Sequence, residues 1–259
     1  VGELSMLGTY NELCPACQKI MRDREDAAPR VGRVHQLWID QYLLSQALCE
    51  PGSLYGTAAL TFKILRQGIP GSLAECGVGA GVHPAAMHYC MRYSGDYRSI
   101  WIFDSFEGIP KPTKMDVPSE DRPGTDFAEQ MGVGIVEDGV VETSGRAAVT
   151  LDEVRALLRV WGAEEKHLRF VPGWFHKTLP VVDTGPLALL RVDADVYEST
   201  KVVFDNLYER VSPGGYVLVH DWNFAGVRAA VVDSLGFEPT VHDLPGTGPK
   251  LRSVWWEKI

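Results

Sequence analysis

Short apolar runs alternate along the chain with stretches whose apolar residues recur three and four positions apart. The runs SLAECG, RSIWIFDSF, HLRFVPGWF, PLALLRVDADVY and YVLVHD read as buried strands. Between or after them, PAAMHYCMRYS, TLDEVRALLRVWG, ESTKVVFDNLYERV and AGVRAAVVDSLG have the helical period. PLALLRVDADVY is almost continuously apolar up to Asp193, as expected of a strand covered on both faces. Repeated strand–helix alternation predicts a doubly wound, mainly parallel α/β sheet. Two closing pieces, FEPTVHDL and LRSVWWEKI, read as a hairpin. They bring the expected sheet to seven strands and make the last one antiparallel.

Local signals place the boundaries. Pro84 suits a first helical position, Thr150 and Glu153 stand in capping-box relation, and SPGG reads as a turn before YVLVHD. Upstream, HQLWIDQYLLSQALCE sets Leu37, Leu44 and Leu48, with Trp38 and Tyr42 beside them, at helical spacing. That stripe predicts core or subunit packing, hence a homo-oligomer. A second helix covers LYGTAALTFKILRQG and stops at Gly68 and Pro70. The expected organisation is an N-terminal helical segment, residues 1–71, contacting substrate or a second copy, then an α/β domain, residues 72–259. Within that domain residues 110–147 are rich in Pro, Gly and charge without a clear period, which predicts a lid-like insertion over a pocket.

Composition narrows the partners. The chain has 259 residues, 45% of them apolar, and a formal net charge of −9. An acidic balance argues against nucleic acid as partner, and the lack of a run of about 18 apolar residues argues against a membrane span. No signal peptide is visible, and five cysteines read as reduced thiols of a cytoplasmic protein. Cys14 and Cys17 form a C-x-x-C without a second pair to complete a zinc site, so a structural or incidental role is expected.

The candidate chemistry starts at LAECGVGAG, residues 73–81. In a doubly wound sheet ligands bind beyond the carboxyl ends of the strands, at the topological switch point. A dinucleotide fingerprint, G-x-G-x-x-G, would need glycine at position 82, which is Val82. The spacing E-x-G-x-G-x-G instead resembles motif I of class I S-adenosylmethionine-dependent methyltransferases, with their Rossmann-like fold. Glu75, Gly77, Gly79 and Gly81 are then candidate cofactor residues. Asp104 ends the second strand, placed to accept from ribose hydroxyls, with Ser105 next to it. Gly173 and Trp174 of PGWF are further cofactor candidates, with Trp174 or Phe175 placed to face the adenine.

RSIWIFDSFEGIP, RFVPGWFHKTLP, LALLRVDADVYEST and LYERVSPGGYVLVHDW together resemble the TylF-type macrocin O-methyltransferase family, from about residue 72 to the end. The resemblance implies a sugar O-methyltransferase of antibiotic biosynthesis that uses S-adenosyl-L-methionine and Mg2+. Elementary chemistry agrees: a sugar hydroxyl is a poor nucleophile, and a Lewis acid lowers its pKa and orients it. Asp193, Asp195 and Asp221, with His220, are the candidate metal residues, and Asp193 and His220 the candidate catalytic ones. The family pattern implies an aspartate at both 220 and 221, so His220 departs from it. Three roles stay open for His220: ligand, general base, or orienter of Asp221. Imidazole is softer than the oxygens Mg2+ prefers, which favours the last two. A packing role is expected of His83. Competing readings are a catechol-type O-methyltransferase and a cofactor-binding homologue without catalysis. Phe127 is the one large aromatic between Pro110 and Ala147, which favours a polar substrate over a catechol.

Overall fold

A computed structural model describes residues 51–244 and 252–259. The Leu37–Leu48 stripe and the Cys14–Cys17 pair lie outside the described residues. Helix α1, Pro51–Gln67, leads into strand β1, Ser72–Cys76, and helix α2, Val82–Ser94. Strand β2, Ile100–Asp104, is followed by the insertion with its short helix α3, Phe127–Met131, and then by α4, Leu151–Val160. Next come β3, Leu168–Pro172, the single turn α5, Phe175–Thr178, β4, Leu187–Val192, and α6, Tyr197–Leu207. The chain closes with β5, Val211–Val219, α7, Ala225–Leu235, β6, His242–Asp243, and β7, Val254–Glu257.

The seven strands lie in the order β3-β2-β1-β4-β5-β7-β6. Pairings from β3 through β5 are parallel, and β7 runs antiparallel to both neighbours. This is the expected doubly wound sheet. Because β1 pairs with β2 on one side and β4 on the other, the switch point falls between β1 and β4. Alternation along the strands feeds two cores. Leu73, Ile100, Ile102, Leu189 and Leu218 pack under α1, α2 and α4. Ala74, Phe103, Leu190, Val192, Val217 and Trp256 pack against α6 and α7. Helix α1 belongs to the first core through Leu54, Ala58 and Ile64, so residues before 72 help build the α/β body itself.

Two boundaries differ from expectation. Helix α2 begins at Val82, because Gly81 in a left-handed conformation (φ 85°) serves as N-cap. Pro84 therefore sits third in the helix, where its missing N–H is still no loss. SPGG lies inside β5, because Gly214 N donates to Lys258 O and Ser212 Oγ donates to Pro70 O, so the segment continues the strand between β4 and β7 despite the positive φ of Gly214. The capping box of α4 forms as expected: Glu153 N donates to Thr150 Oγ1 at 3.3 Å and Thr150 N to Glu153 Oε2 at 2.9 Å.

The insertion is clamped to the body. Its Asp116 is buried, accepting from Thr113 N at 2.9 Å and from Tyr197 N, the first residue of α6, at 2.7 Å. Burial raises that carboxyl to about 6, against the pull of both N–H donors. Thr125 N donates to Asn223 O at 2.8 Å, and the Phe127 ring meets Phe224 edge-on at 5.2 Å.

Two stability outcomes follow. A Cβ on Gly77, at φ 82°, would lie 1.8 Å from the Asp193 carbonyl oxygen, whereas one on Gly95, at φ 72°, would meet nothing. Gly77→Ala should cost about 4 kcal/mol or more in urea unfolding, and Gly95→Ala only about 1–2 kcal/mol. Asp116→Ala leaves two inward N–H groups unpaired, worth about 2–4 kcal/mol. Limited proteolysis should then cut within residues 110–147 before the sheet unfolds, and equal resistance to wild type would refute the clamp.

Candidate active site

The glycine turn leaves β1 with Gly77, Gly79 and Gly81 all at positive φ. Gly77 N donates to Phe103 O, and Asp193 N donates to Cys76 O at 2.8 Å, which ties the turn to both neighbouring strands. Only a glycine fits at 77, since the β4 exit passes against it. Asp104 holds the turn from the other side: Val78 N donates to its Oδ2 at 2.8 Å and Phe106 N to its Oδ1 at 2.7 Å. Burial raises the Asp104 carboxyl, against the N–H groups of Phe106, Val78 and Gly79.

Beyond β4 and β5 the chain places its acidic residues. Asp195 and Asp221 both have left-handed backbones, φ 61° and 58°, uncommon for non-glycine residues and frequent at functional sites. His220 Nδ1 lies 3.0 Å from Asp193 Oδ1 and 2.9 Å from Asp221 Oδ2. Burial opposes charge on this ring, yet Asp193 and Asp221 pull its pKa well above the ordinary value. Nδ1 thus faces both carboxylates. Burial would raise Asp193, but His220 and Arg191 hold its carboxyl well below the usual range. Asp195 is pushed well above that range by burial and by the charges of Asp221 and Asp193, and it hydrogen-bonds Asp221. Asp193, His220 and Asp221 each offer one ligand atom, all within 4.8 Å of one another. Asp195, expected as a fourth member, stands outside that group beside Asp221.

Arg191 was not anticipated. It sits on β4 opposite Glu75 of β1, in register, on the face covered by α1. Both side chains have no exposed surface. Arg191 Nη1 donates to Glu75 Oε1 and, at 3.0 Å, to Asp193 Oδ2, while Nη2 donates to Ser53 Oγ at 3.2 Å. Burial pushes the Glu75 carboxyl up to about 8, against the attraction of Arg191. His83 is buried nearby, its Nδ1 2.9 Å from Thr57 Oγ1, and it offers a ligand atom within 4.8 Å of those of Glu75 and Asp193.

One cavity of about 430 Å³ joins these parts, within the range of small-molecule sites. Gly77, Gly79, Asp104, Ser105 and Trp174 line it beside Asp193, Asp195, His220 and Asp221, which form its acidic end, with Gly77 lying against Asp193. Ile109, Phe127, Met131, Phe175 and Phe224 form an apolar wall. Of the expected cofactor residues, Glu75, Gly81 and Gly173 do not line it. Glu75 is committed to Arg191, and Gly81 caps α2 where a Cβ would meet Val154 at 3.0 Å. Gly173, at φ 131°, turns the chain from β3 toward Trp174. The wall residues of the insertion gave no sequence signal, since nothing periodic marks residues 110–147. Arg191 did give one: a charge inside an otherwise apolar strand requires a buried partner.

The comparisons with known proteins bear on this geometry. The model of the macrocin-O-methyltransferase (TylF) family matches residues 54–238. A Streptomyces olivaceus enzyme, 8-demethyl-8-(2,3-dimethoxy-alpha-L-rhamnosyl)-tetracenomycin-C 4'-O-methyltransferase, is 38% identical over 197 residues, covering 74% of this chain and 68% of its own length. Demethyldecarbamoylnovobiocin O-methyltransferase of Streptomyces niveus is 35% identical over 160 residues, covering 61% of this chain and 55% of its own. Among solved structures, the O-methyltransferase NovP superposes with a TM-score of 0.62 at 29% identity, covering 80% of this chain and 79% of that one. The calicheamicin methyltransferase CalS11 superposes with a TM-score of 0.61 at 19% identity, covering 99% and 97%, and so shows the shared fold. The family match begins at residue 54, within α1, rather than at about 72, consistent with the place of that helix in the core. This chain belongs to the TylF macrocin-O-methyltransferase family.

Proposed function

We propose that the protein transfers a methyl group from S-adenosyl-L-methionine to a hydroxyl of a sugar-containing natural product, with a divalent cation at the acidic end of the cavity. The observation that carries this reading is the continuity of the cavity from Gly77, Gly79 and Asp104 to Asp193, Asp195 and Asp221. A methyl donor resting on the glycine turn and an acceptor hydroxyl at the carboxylates would share one enclosed space. The names of the relatives support a glycosylated antibiotic precursor as acceptor, since the S. olivaceus enzyme is named for a rhamnosyl-tetracenomycin.

In this mechanism the hydroxyl oxygen attacks the sulfonium methyl carbon. An O–C bond forms, the S–CH3 bond breaks with its electron pair going to sulfur, and the hydroxyl proton must leave. Asp193 is a poor acceptor for it, because Arg191 and His220 engage both its oxygens and hold its pKa low. Asp195 lines the cavity and is the stronger base once ionised, its pKa being raised by burial and by its acidic neighbours. Asp193 and His220 then serve to fix the acidic end. Carboxylate oxygens from Asp193 and Asp221 are suitable donors for a divalent cation, which when bound would lower the hydroxyl pKa and orient its oxygen. The apolar wall, richer in aromatics than the insertion alone suggests, would take the aglycone; Phe175 and Phe224 join Phe127 there. The same wall supports a second reading, an aromatic catechol-type acceptor, and a panel of glycosides and catechols assayed side by side separates the two.

Calorimetric titration of S-adenosylmethionine and S-adenosylhomocysteine should show binding to the folded protein. Asp193→Asn should lower kcat by about a hundredfold or more, with S-adenosylhomocysteine affinity within a few-fold of wild type. Lack of binding to wild type, or turnover that survives the substitution, would overturn the assignment.

A further inference from the structure

In the cluster of Asp193, His220 and Asp221, His220 offers nitrogen beside two carboxylates. Its Nδ1 is 3.0 Å from Asp193 Oδ1 and 2.9 Å from Asp221 Oδ2. For bonds of about 2.1 Å, two ligand atoms at right angles about one ion lie about 3.0 Å apart. The two spacings are therefore the edges of a coordination polyhedron as well as hydrogen-bond lengths. Arg191 engages the other oxygen of Asp193 and leaves Oδ1 facing His220. All three residues line the cavity, so the remaining positions around an ion would open toward substrate and water.

The donor set decides which ion suits. Mg2+ favours hard oxygen ligands and gives up water reluctantly, whereas imidazole nitrogen favours first-row transition ions. We infer that the cation taken by this site is a divalent first-row transition ion rather than Mg2+, held by Asp193 and Asp221 through oxygen and by His220 through Nδ1. The inference rests on the cation-assisted reading above and assigns to His220 the control of cation choice. His220 thereby acts as ligand, and no role as general base is needed.

Mn2+ is the probe, because as a hard ion it ignores the thiols of Cys14 and Cys17 and still accepts imidazole. The full chain, stripped with chelator, is titrated with Mn2+ and with Mg2+, and bound Mn2+ is examined by pulsed electron paramagnetic resonance. Wild type should bind Mn2+ about tenfold or more tighter than His220→Asp does, relative to Mg2+ in each protein. Its spectrum should carry a nitrogen-14 modulation that His220→Asp lacks. Bound Mn2+ without that modulation in wild type overturns the inference, and so does Mn2+ that fails to bind. An unchanged Mn2+ to Mg2+ preference in His220→Asp also overturns it. S-adenosylhomocysteine titrated into the same samples reports folding and tests the methyltransferase reading separately. If it binds while Mn2+ does not, the methyltransferase assignment survives and the cation assignment falls.

Discussion

A guanidinium without water contact needs acceptors, and among the described residues Arg191 meets two carboxyl groups. Glu75 supplies one from the neighbouring strand and Asp193 the other from the end of its own. Removing one member of a buried ion pair costs about 3–5 kcal/mol, because the remaining charge is left in low dielectric. That penalty fixes more than stability. It pins one oxygen of Asp193, which leaves the other directed at His220, and His220 in turn reaches Asp221. The acidic end of the cavity is thus held from beneath by a charge sequence that runs from β1 through β4 to the exit of β5. Ser53 extends the same sequence into α1. It adds a polar contact to the burial of Leu54, Ala58 and Ile64 that makes this helix part of the body of the fold.

Backbone geometry imposes the complementary constraint. At the switch point the exits of β1 and β4 diverge, and the first must pass so close to the second that Gly77 has no room for a Cβ. The glycine turn and Asp193 are therefore neighbours through main chain, independent of any side-chain contact. Asp195 and Asp221 reach the cavity through left-handed residues just beyond their strands. A strained conformation of this kind persists only where surrounding structure enforces it. Here the hydrogen bond between Asp195 and Asp221 and the bridge at His220 supply that enforcement.

The sheet was legible because strand and helix periods are strong signals, and the strand-end aspartates were legible because a charge that terminates an apolar run marks a strand exit. Glu75 illustrates where such reading stops. Its place in the glycine motif suggested a ligand contact, yet its side chain points to the face under α1 and meets Arg191. Residue type and spacing did not reveal which face of β1 turns toward the cavity, and only the pairing with β4 decides that. The insertion was recognisable as an insertion, but not as a wall. One of its attachments is a buried carboxylate, Asp116, accepting from the first turn of a helix about eighty residues later in the chain. A contact of that separation leaves no periodic trace.

The charge balance of the cavity bears on how a methyl donor would be held and released. Asp104, Asp193, Asp195 and Asp221 all line it, and this concentration of carboxyl groups favours positive ligands. A sulfonium cofactor carries one positive charge, and its product after methyl transfer is a neutral sulfide. Electrostatic attraction in a partly desolvated site is stronger than in water, so the cavity would retain the donor more firmly than the spent cofactor. The same field resists loss of a proton from the acceptor hydroxyl, because a second negative charge would develop among carboxylates. A positive centre at Asp193, His220 and Asp221 relieves that conflict. On the proposed reading, a positive charge beside His220 would let an acidic cavity attract a cationic donor and still accommodate a developing alkoxide.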